Sequence, residues 1–218
     1  TLETKIKEKV VRRSYSICSP PSEGLRVGIK EVPEGLFSTY ANRSLSEYDQ
    51  IMVTPPDGRF RFVSSGQVQN LAAFAAGSGI TPVMSILKTA LLDHPKNRFH
   101  LVYGNKTPED TMFYQELREM EKTFYGRLSI EWVFSRANVE GSLFGRVEAN
   151  VIKSTLKHLE GSADKFYLCG PENMIETASD ILYSNGVEKD NVLFELFSAS
   201  SNTVSIEGTA KGGSLEIT

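Results

Sequence analysis

Leu71-Ala-Ala-Phe-Ala-Ala-Gly-Ser-Gly-Ile-Thr-Pro82 is the stretch from which the fold is read. A short apolar run that breaks into Gly77, Gly79 and Pro82 reads as a buried parallel strand, and the spacing of Val83, Ile86, Leu87 and Leu91 reads as one face of a helix. The unit is therefore strand, glycine turn, helix. The turn leaves backbone N–H groups at the positive end of the helix dipole with no side chain in the way, a place where an anion such as a pyrophosphate can sit. With two glycines rather than the three of a dinucleotide fingerprint, the turn alone serves as well for packing strand against helix.

Outward from this unit toward the C-terminus, apolar strands are expected at 71–75, 99–103, 129–134, 166–168 and 192–195. They alternate with helical patterns at 83–92, 111–123, 149–159 and 174–185. Such alternation predicts an α/β doubly wound five-stranded parallel sheet with helices on both faces. Ligands bind such sheets outside the carboxyl ends of the strands. Four of those ends carry polar or glycine-rich segments: Gly77 to Pro82, Gly104-Asn105-Lys106, Ser135-Arg136 and Cys169-Gly170-Pro171. Four together point to a nucleotide site more strongly than the first does alone. Toward the N-terminus, short strands at 14–18, 25–32, 50–53 and 59–63 are punctuated by Pro20-Pro21, Pro33-Glu34-Gly35 and Pro55-Pro56-Asp57-Gly58. This is the rhythm of an antiparallel β-barrel or sandwich, interrupted by a helical stretch at 36–45.

Composition narrows the function classes. The 218 residues have a net charge of −3 with no single-sign blocks, which argues against nucleic acid or an anionic membrane surface as partner. No apolar run reaches the roughly 20 residues of a membrane span. Two cysteines and three histidines give no spacing for a disulfide framework or a metal site, so a reducing cytoplasm and no bound metal are expected.

In order along the chain stand Arg13-Ser-Tyr-Ser16, Gly35-Leu-Phe-Ser38, Gly77-Ser-Gly-Ile-Thr-Pro82, Cys169-Gly-Pro171 and Glu195-Leu-Phe197. Over about residues 9–198 the chain thereby resembles the ferredoxin-NADP reductase superfamily. It is most similar to the oxygenase reductase branch, whose members are flavin reductases fused to a C-terminal plant-type ferredoxin. The resemblance implies an FAD-binding barrel at 1–66, an NAD(P)-binding α/β domain at 67–198, and at 199–218 a linker running into a truncated ferredoxin-like domain. It implies that Arg13 pairs with the flavin pyrophosphate, that Tyr15 stacks on the isoalloxazine and that Ser16 hydrogen-bonds near N5. Ile29 and Lys30 lie beside the flavin, and Gly35, Phe37 and Ser38 bring helix amides and a hydroxyl to its diphosphate. Gly77, Gly79, Thr81, Pro82, Gly104 and Asn105 take the pyridine nucleotide, and Ser135 and Arg136 its 2′-phosphate, favouring NADPH with NADH as the alternative. Cys169, with Gly170 and Pro171, lies against the nicotinamide; Glu195 bonds near the reacting atoms and Phe197 covers the flavin. Ser16, Cys169 and Glu195 are the implied catalytic group.

Two departures bear on completeness. Only twelve residues precede Arg13, fewer than the family's opening strands need, so the barrel is read as N-terminally incomplete. The chain runs past Phe197, where plant-type members end on tyrosine, yet the Cys-x4-Cys-x2-Cys of a ferredoxin is absent, so no iron–sulfur cluster is expected in this fragment. The function implied is hydride passage from NADPH to FAD, then single electrons to an iron–sulfur ferredoxin domain in cis and on to an oxygenase. The alternatives are a flavohaemoglobin-like or cytochrome b5 reductase-like module reducing haem, and a nucleotide-binding electron-transfer subunit without turnover.

Overall fold

The computed structural model describes residues 1–197, so the expected tail at 199–218 lies outside the described residues. The chain opens with a hairpin, β1 (Leu2–Ile6) and β2 (Lys9–Arg13), and after α1 (Leu36–Arg43) adds β3 (Met52–Val53) against β1. This antiparallel sheet has the order β2-β1-β3, and its inner face buries Leu2, Ile6 and Val11 against Phe37 and Ala41 of α1. The expected strands at 14–18 and 25–32 meet only in an isolated antiparallel bridge, Ile17 to Val27, and the region 59–63 forms no strand. Antiparallel strands followed by a parallel sheet are as expected. Among the described residues, however, the first unit is three-stranded, because Pro20, Pro21 and Pro33 remove the backbone donors that longer ladders need.

The second unit is a six-stranded parallel sheet of order β7-β6-β5-β4-β8-β9. It comprises β4 (Asn70–Ala76), β5 (Arg98–Asn105), β6 (Leu128–Phe134), β7 (Leu143–Phe144), β8 (Lys165–Gly170) and β9 (Val192–Leu196). All five expected strands are present. The sixth, β7, is a two-residue edge pairing to Val133 and Phe134, too short to show a period in sequence. Side chains alternate across the strands. Leu71, Ala73, Leu101, Tyr103, Trp132 and Tyr167 pack under α2 (Ile80–Leu92) and α3 (Tyr114–Thr123). Ala72, Phe74, Val102, Val133, Phe166 and Leu168 pack under α4 (Ala149–Leu159) and α5 (Glu172–Ser184). No helix among the described residues is long and apolar enough to cross a membrane.

Two features of the topology place the site. The chain runs outward from β4 through β5 and β6 to β7, then returns to β8 on the other side of β4, so the strand order reverses between β4 and β8. In open α/β sheets that switch point is where a crevice opens at the carboxyl ends. Meanwhile Cys18 of the N-terminal half is buried in the core of the parallel sheet, and Phe60 and Phe62 pack against that core; the Phe60 ring meets Tyr167 edge-on at 5.7 Å. The two halves thus pack against each other along this face of the sheet.

Candidate active site

The glycine turn sits at the switch point. β4 ends at Ala76, a single 3-10 turn spans Gly77–Gly79, and α2 follows at once. Gly77 adopts φ +55, a left-handed conformation that favours glycine. Gly79 is required for a different reason: a Cβ there would overlap the Cys169 carbonyl and crowd the Gly170 nitrogen of β8. Of the uses suggested by the sequence, packing is met by Gly79 against β8, and the N-terminus of α2 carries no side-chain cap. The buried Thr81 hydroxyl donates to the Ser78 carbonyl at 3.0 Å, and Pro82 stands in the first turn of α2, where its missing N–H costs nothing. From below, the Tyr103 hydroxyl donates to the Gly77 carbonyl at 3.0 Å, with the Met112 carbonyl at 3.4 Å. Burial pushes the Tyr103 phenol well above its ordinary range and keeps it protonated as that donor.

Across the crevice, β8 and β9 pair Cys169 with Glu195 in register. Ser16 reaches over from the N-terminal half and donates to Glu195 Oε2 at 2.9 Å. Burial, and then the Glu195 charge, push the Cys169 thiol up to about 12, so at neutral pH it is a compact neutral group rather than a thiolate nucleophile. Ser16, Cys169 and Glu195, widely separated in sequence, thus form one group beside the glycine turn.

The other expected residues occupy two flanks. On the N-terminal flank, Arg13 ends β2 and is exposed, its Nη1 donating to the Arg12 carbonyl at 2.6 Å. Tyr15 is half-buried with its ring 5.5 Å from that of Phe37, and desolvation raises its phenol pKa. Gly35 caps α1 where a Cβ would overlap the Ser38 hydroxyl. That hydroxyl is buried, donating to the Gly35 carbonyl and accepting from the Val32 N–H, so Ser38 shapes the loop from within. Asn42 holds the Ile29 carbonyl, and Lys30 donates to the Asp110 carbonyl at 2.6 Å, tying this flank to the loop after β5. On the far flank, Gly104 is buried where a Cβ would press Val147, and Ser135 bonds the Asn105 carbonyl through both its hydroxyl and its N–H. Arg136 is exposed beside them, and the Asn105 side chain lies against the Tyr103 phenol. Gly170 lets Met174 and Ala76 close in, Pro171 caps α5, and Phe197 is half-exposed just past β9.

Sequence reasoning missed Gly28, Tyr103 and Phe113. Gly28 lies where a Cβ would come within 2.9 Å of Met112, Phe113 and the Thr81 methyl, so backbone of the N-terminal half lies directly on the turn. An isolated glycine in a strand-like run is the signal that could have found it. Tyr103, read only as a strand residue, is the support beneath Gly77. Phe113 adopts φ 58, an uncommon conformation for a bulky residue, and for that reason α3 starts at Tyr114 rather than at the expected 111.

Residues 74–180 match the family described as Oxidoreductase NAD-binding domain. A subunit of 1,2-phenylacetyl-CoA epoxidase from Escherichia coli K12 is 31% identical over 209 residues, 94% of this chain and 59% of the relative. The reductase component of propane 2-monooxygenase from Rhodococcus jostii RHA1 is 27% identical over 201 residues, 86% of this chain and 51% of the relative. The chain spans between half and three-fifths of the length of these relatives. Among solved structures, the CS-b5R domains of human Ncb5or in their NAD+ form superpose with TM-score 0.73 at 26% identity, covering 88% of this chain and 58% of that one. The flavohem-like FAD/NAD-binding domain of nitric oxide dioxygenase from Vibrio cholerae superposes with TM-score 0.73 at 22% identity, covering 90% and 82%, and shares the fold.

Proposed function

The chain belongs to the ferredoxin-NADP reductase superfamily, and from that premise we propose that it is an NAD(P)H-dependent flavin oxidoreductase module of an oxygenase system. FAD, which Arg13, Tyr15 and the Gly35 to Ser38 loop would hold, would supply the conversion of a two-electron donor, NADPH, to one-electron donation toward an iron–sulfur ferredoxin domain and an oxygenase.

The observation that carries this reading is the meeting of Ser16, Cys169 and Glu195 beside the Gly77–Gly79 turn. The protein's part in hydride transfer is to align two rings and exclude water. A buried neutral thiol, a hydroxyl and a carboxylate suit that task. Glu195 holds the Ser16 hydroxyl in one orientation, and Cys169 offers a small surface that carries no charge at neutral pH. The N-terminus of α2, which carries no side-chain cap, suits a pyrophosphate, and the end of β5 at Asn105 suits a further part of the nucleotide. Ser135 and Arg136 beside it favour the 2′-phosphate of NADPH over NADH. On the N-terminal flank, Arg13 and the N-terminus of α1 at Gly35 to Ser38 are suited to the flavin diphosphate, and Tyr15, Ile29, Lys30 and Phe197 to its ring system. Residues 1–66 then serve FAD and 67–198 the nucleotide. The names of the relatives, one part of an epoxidase and the other a reductase component of a monooxygenase, support an oxygenase as the final acceptor. Two buried free thiols suit a reducing cytoplasm.

Steady-state reduction of ferricyanide by NADPH, with FAD supplied, tests this reading against a binding subunit without turnover. Turnover that needs both compounds supports the reductase. Tight binding of both by calorimetry without any acceptor reduction would leave the binding subunit.

A further inference from the structure

One face of α2 lies along the N-terminal half. Thr81, Ser85 and Lys88 fall at i, i+4 and i+7, on a single helical face. Thr81 packs against Gly28. Ser85 donates to the Ser19 carbonyl at 2.7 Å. Lys88 is almost wholly buried, at 7% exposure, and its ammonium lies 2.7 Å from Glu116 of α3 and 3.4 Å from Glu23. Arg26 completes a cluster of two cations and two anions, 3.7 Å from Glu116. The segment it grips is already closed on itself, since Cys18 N–H bonds the Arg26 carbonyl and Arg26 N–H bonds the Ser19 hydroxyl.

We infer that this face is a clamp that fixes the segment from Ser19 to Gly28 against α2 in one register, with Lys88 as its positioning residue. The inference rests on the proposed reductase function only for its consequence, not for its geometry. A buried ammonium must keep its carboxylates, so sliding one half past the other would strand a charge. An apolar interface tolerates small shifts; a neutralised charge cluster with one geometry does not. The same helix carries Thr81 at the crevice, and the gripped segment continues backward into Ser16. Lys88 therefore sets how closely Ser16 and Glu195 approach the glycine turn, about two turns of α2 away from the site itself.

The test measures hydrogen exchange on the protein without added cofactor, alongside turnover with FAD and NADPH, for wild type, Lys88→Met and Glu23→Gln. Met keeps the apolar stem of Lys88 and deletes its charge; Glu23, at 39% side-chain exposure, offers a milder loss should Lys88→Met fail to fold. In Lys88→Met, peptides covering 18–28 are expected to exchange roughly tenfold faster while β4 to β6 stay within about twofold, with a smaller change of the same sign in Glu23→Gln. kcat is expected to fall about tenfold, with KM for NADPH within about twofold, because docking is disturbed and binding is not. Unchanged exchange over 18–28 in the folded variants overturns the clamp, whatever turnover does. A wild-type protein without NADPH-dependent turnover overturns the functional reading instead, and the exchange data still decide the clamp.

Discussion

Ser16 and Glu195, 179 positions apart, share a hydrogen bond of 2.9 Å that joins the antiparallel half to the last strand of the parallel sheet. The bond stands beside Cys169 and across from the glycine turn, so its loss should be felt in turnover more than in stability. Ser16→Ala is expected to lower kcat about tenfold with KM for NADPH nearly unchanged, at a stability cost of about 1 kcal/mol. Steady-state kinetics with urea unfolding checks both halves of the statement. A raised KM with unchanged kcat would assign the pair to substrate binding.

The two glycines of the turn should respond differently to alanine. Gly77 has open space around its missing Cβ and suffers only from φ +55, a strain of about 1 kcal/mol. Gly79→Ala drives a methyl into the Cys169 carbonyl, a clash that rigid backbone cannot relieve and that costs about 1–3 kcal/mol or more as overpacking. Urea denaturation should therefore rank Gly79→Ala as the more destabilised variant. Its nucleotide affinity should fall as well, since the α2 amides must shift.

Tyr103→Phe keeps the ring and removes the donor to the Gly77 carbonyl. About 1 kcal/mol of stability should go with it. The turn peptide is then free to rotate, and calorimetry is expected to show NADPH binding weakened several-fold while FAD binding is unchanged.

Alkaline pH should unfold the protein early. Cys169 ordinarily titrates at 9.0 and is pushed up to about 12; Tyr167 ordinarily titrates at 10.0 and is likewise pushed up to about 12 by burial. A raised folded pKa means that both states are protonated below the ordinary value, where the stabilisation is complete. Above it the unfolded chain releases its proton first, so stability falls between about pH 9 and 12, by about 1.4 kcal/mol per pH unit for each such group. Cys169→Ser does not titrate in this window, and its stability should fall less steeply between about pH 9 and 10.5 than that of wild type. Equal slopes would place the Cys169 thiol near its ordinary value.

The parallel sheet was legible in the sequence because its strands are buried on both faces and read as unbroken apolar runs, with α4 matching its expected span of Ala149–Leu159. The hairpin of β1 and β2 was not legible. Its turn is Lys7-Glu8, both at positive φ, where Asn-Gly would have been the signal. At the site, residues within strand-end motifs could be found, since glycine turns and strand ends announce themselves. Phe113 and the Lys88 cluster could not, because what they do depends on which distant segment lies against them, a tertiary fact that local pattern does not carry.

Anaerobic addition of NADPH to the FAD-loaded protein, followed at the flavin's visible absorbance, tests the central claim most directly. A yellow complex that bleaches on mixing, with NADH needing about tenfold more for the same rate, is the expected result. A protein that takes up no FAD, or a flavin colour that persists under excess NADPH, would contradict it.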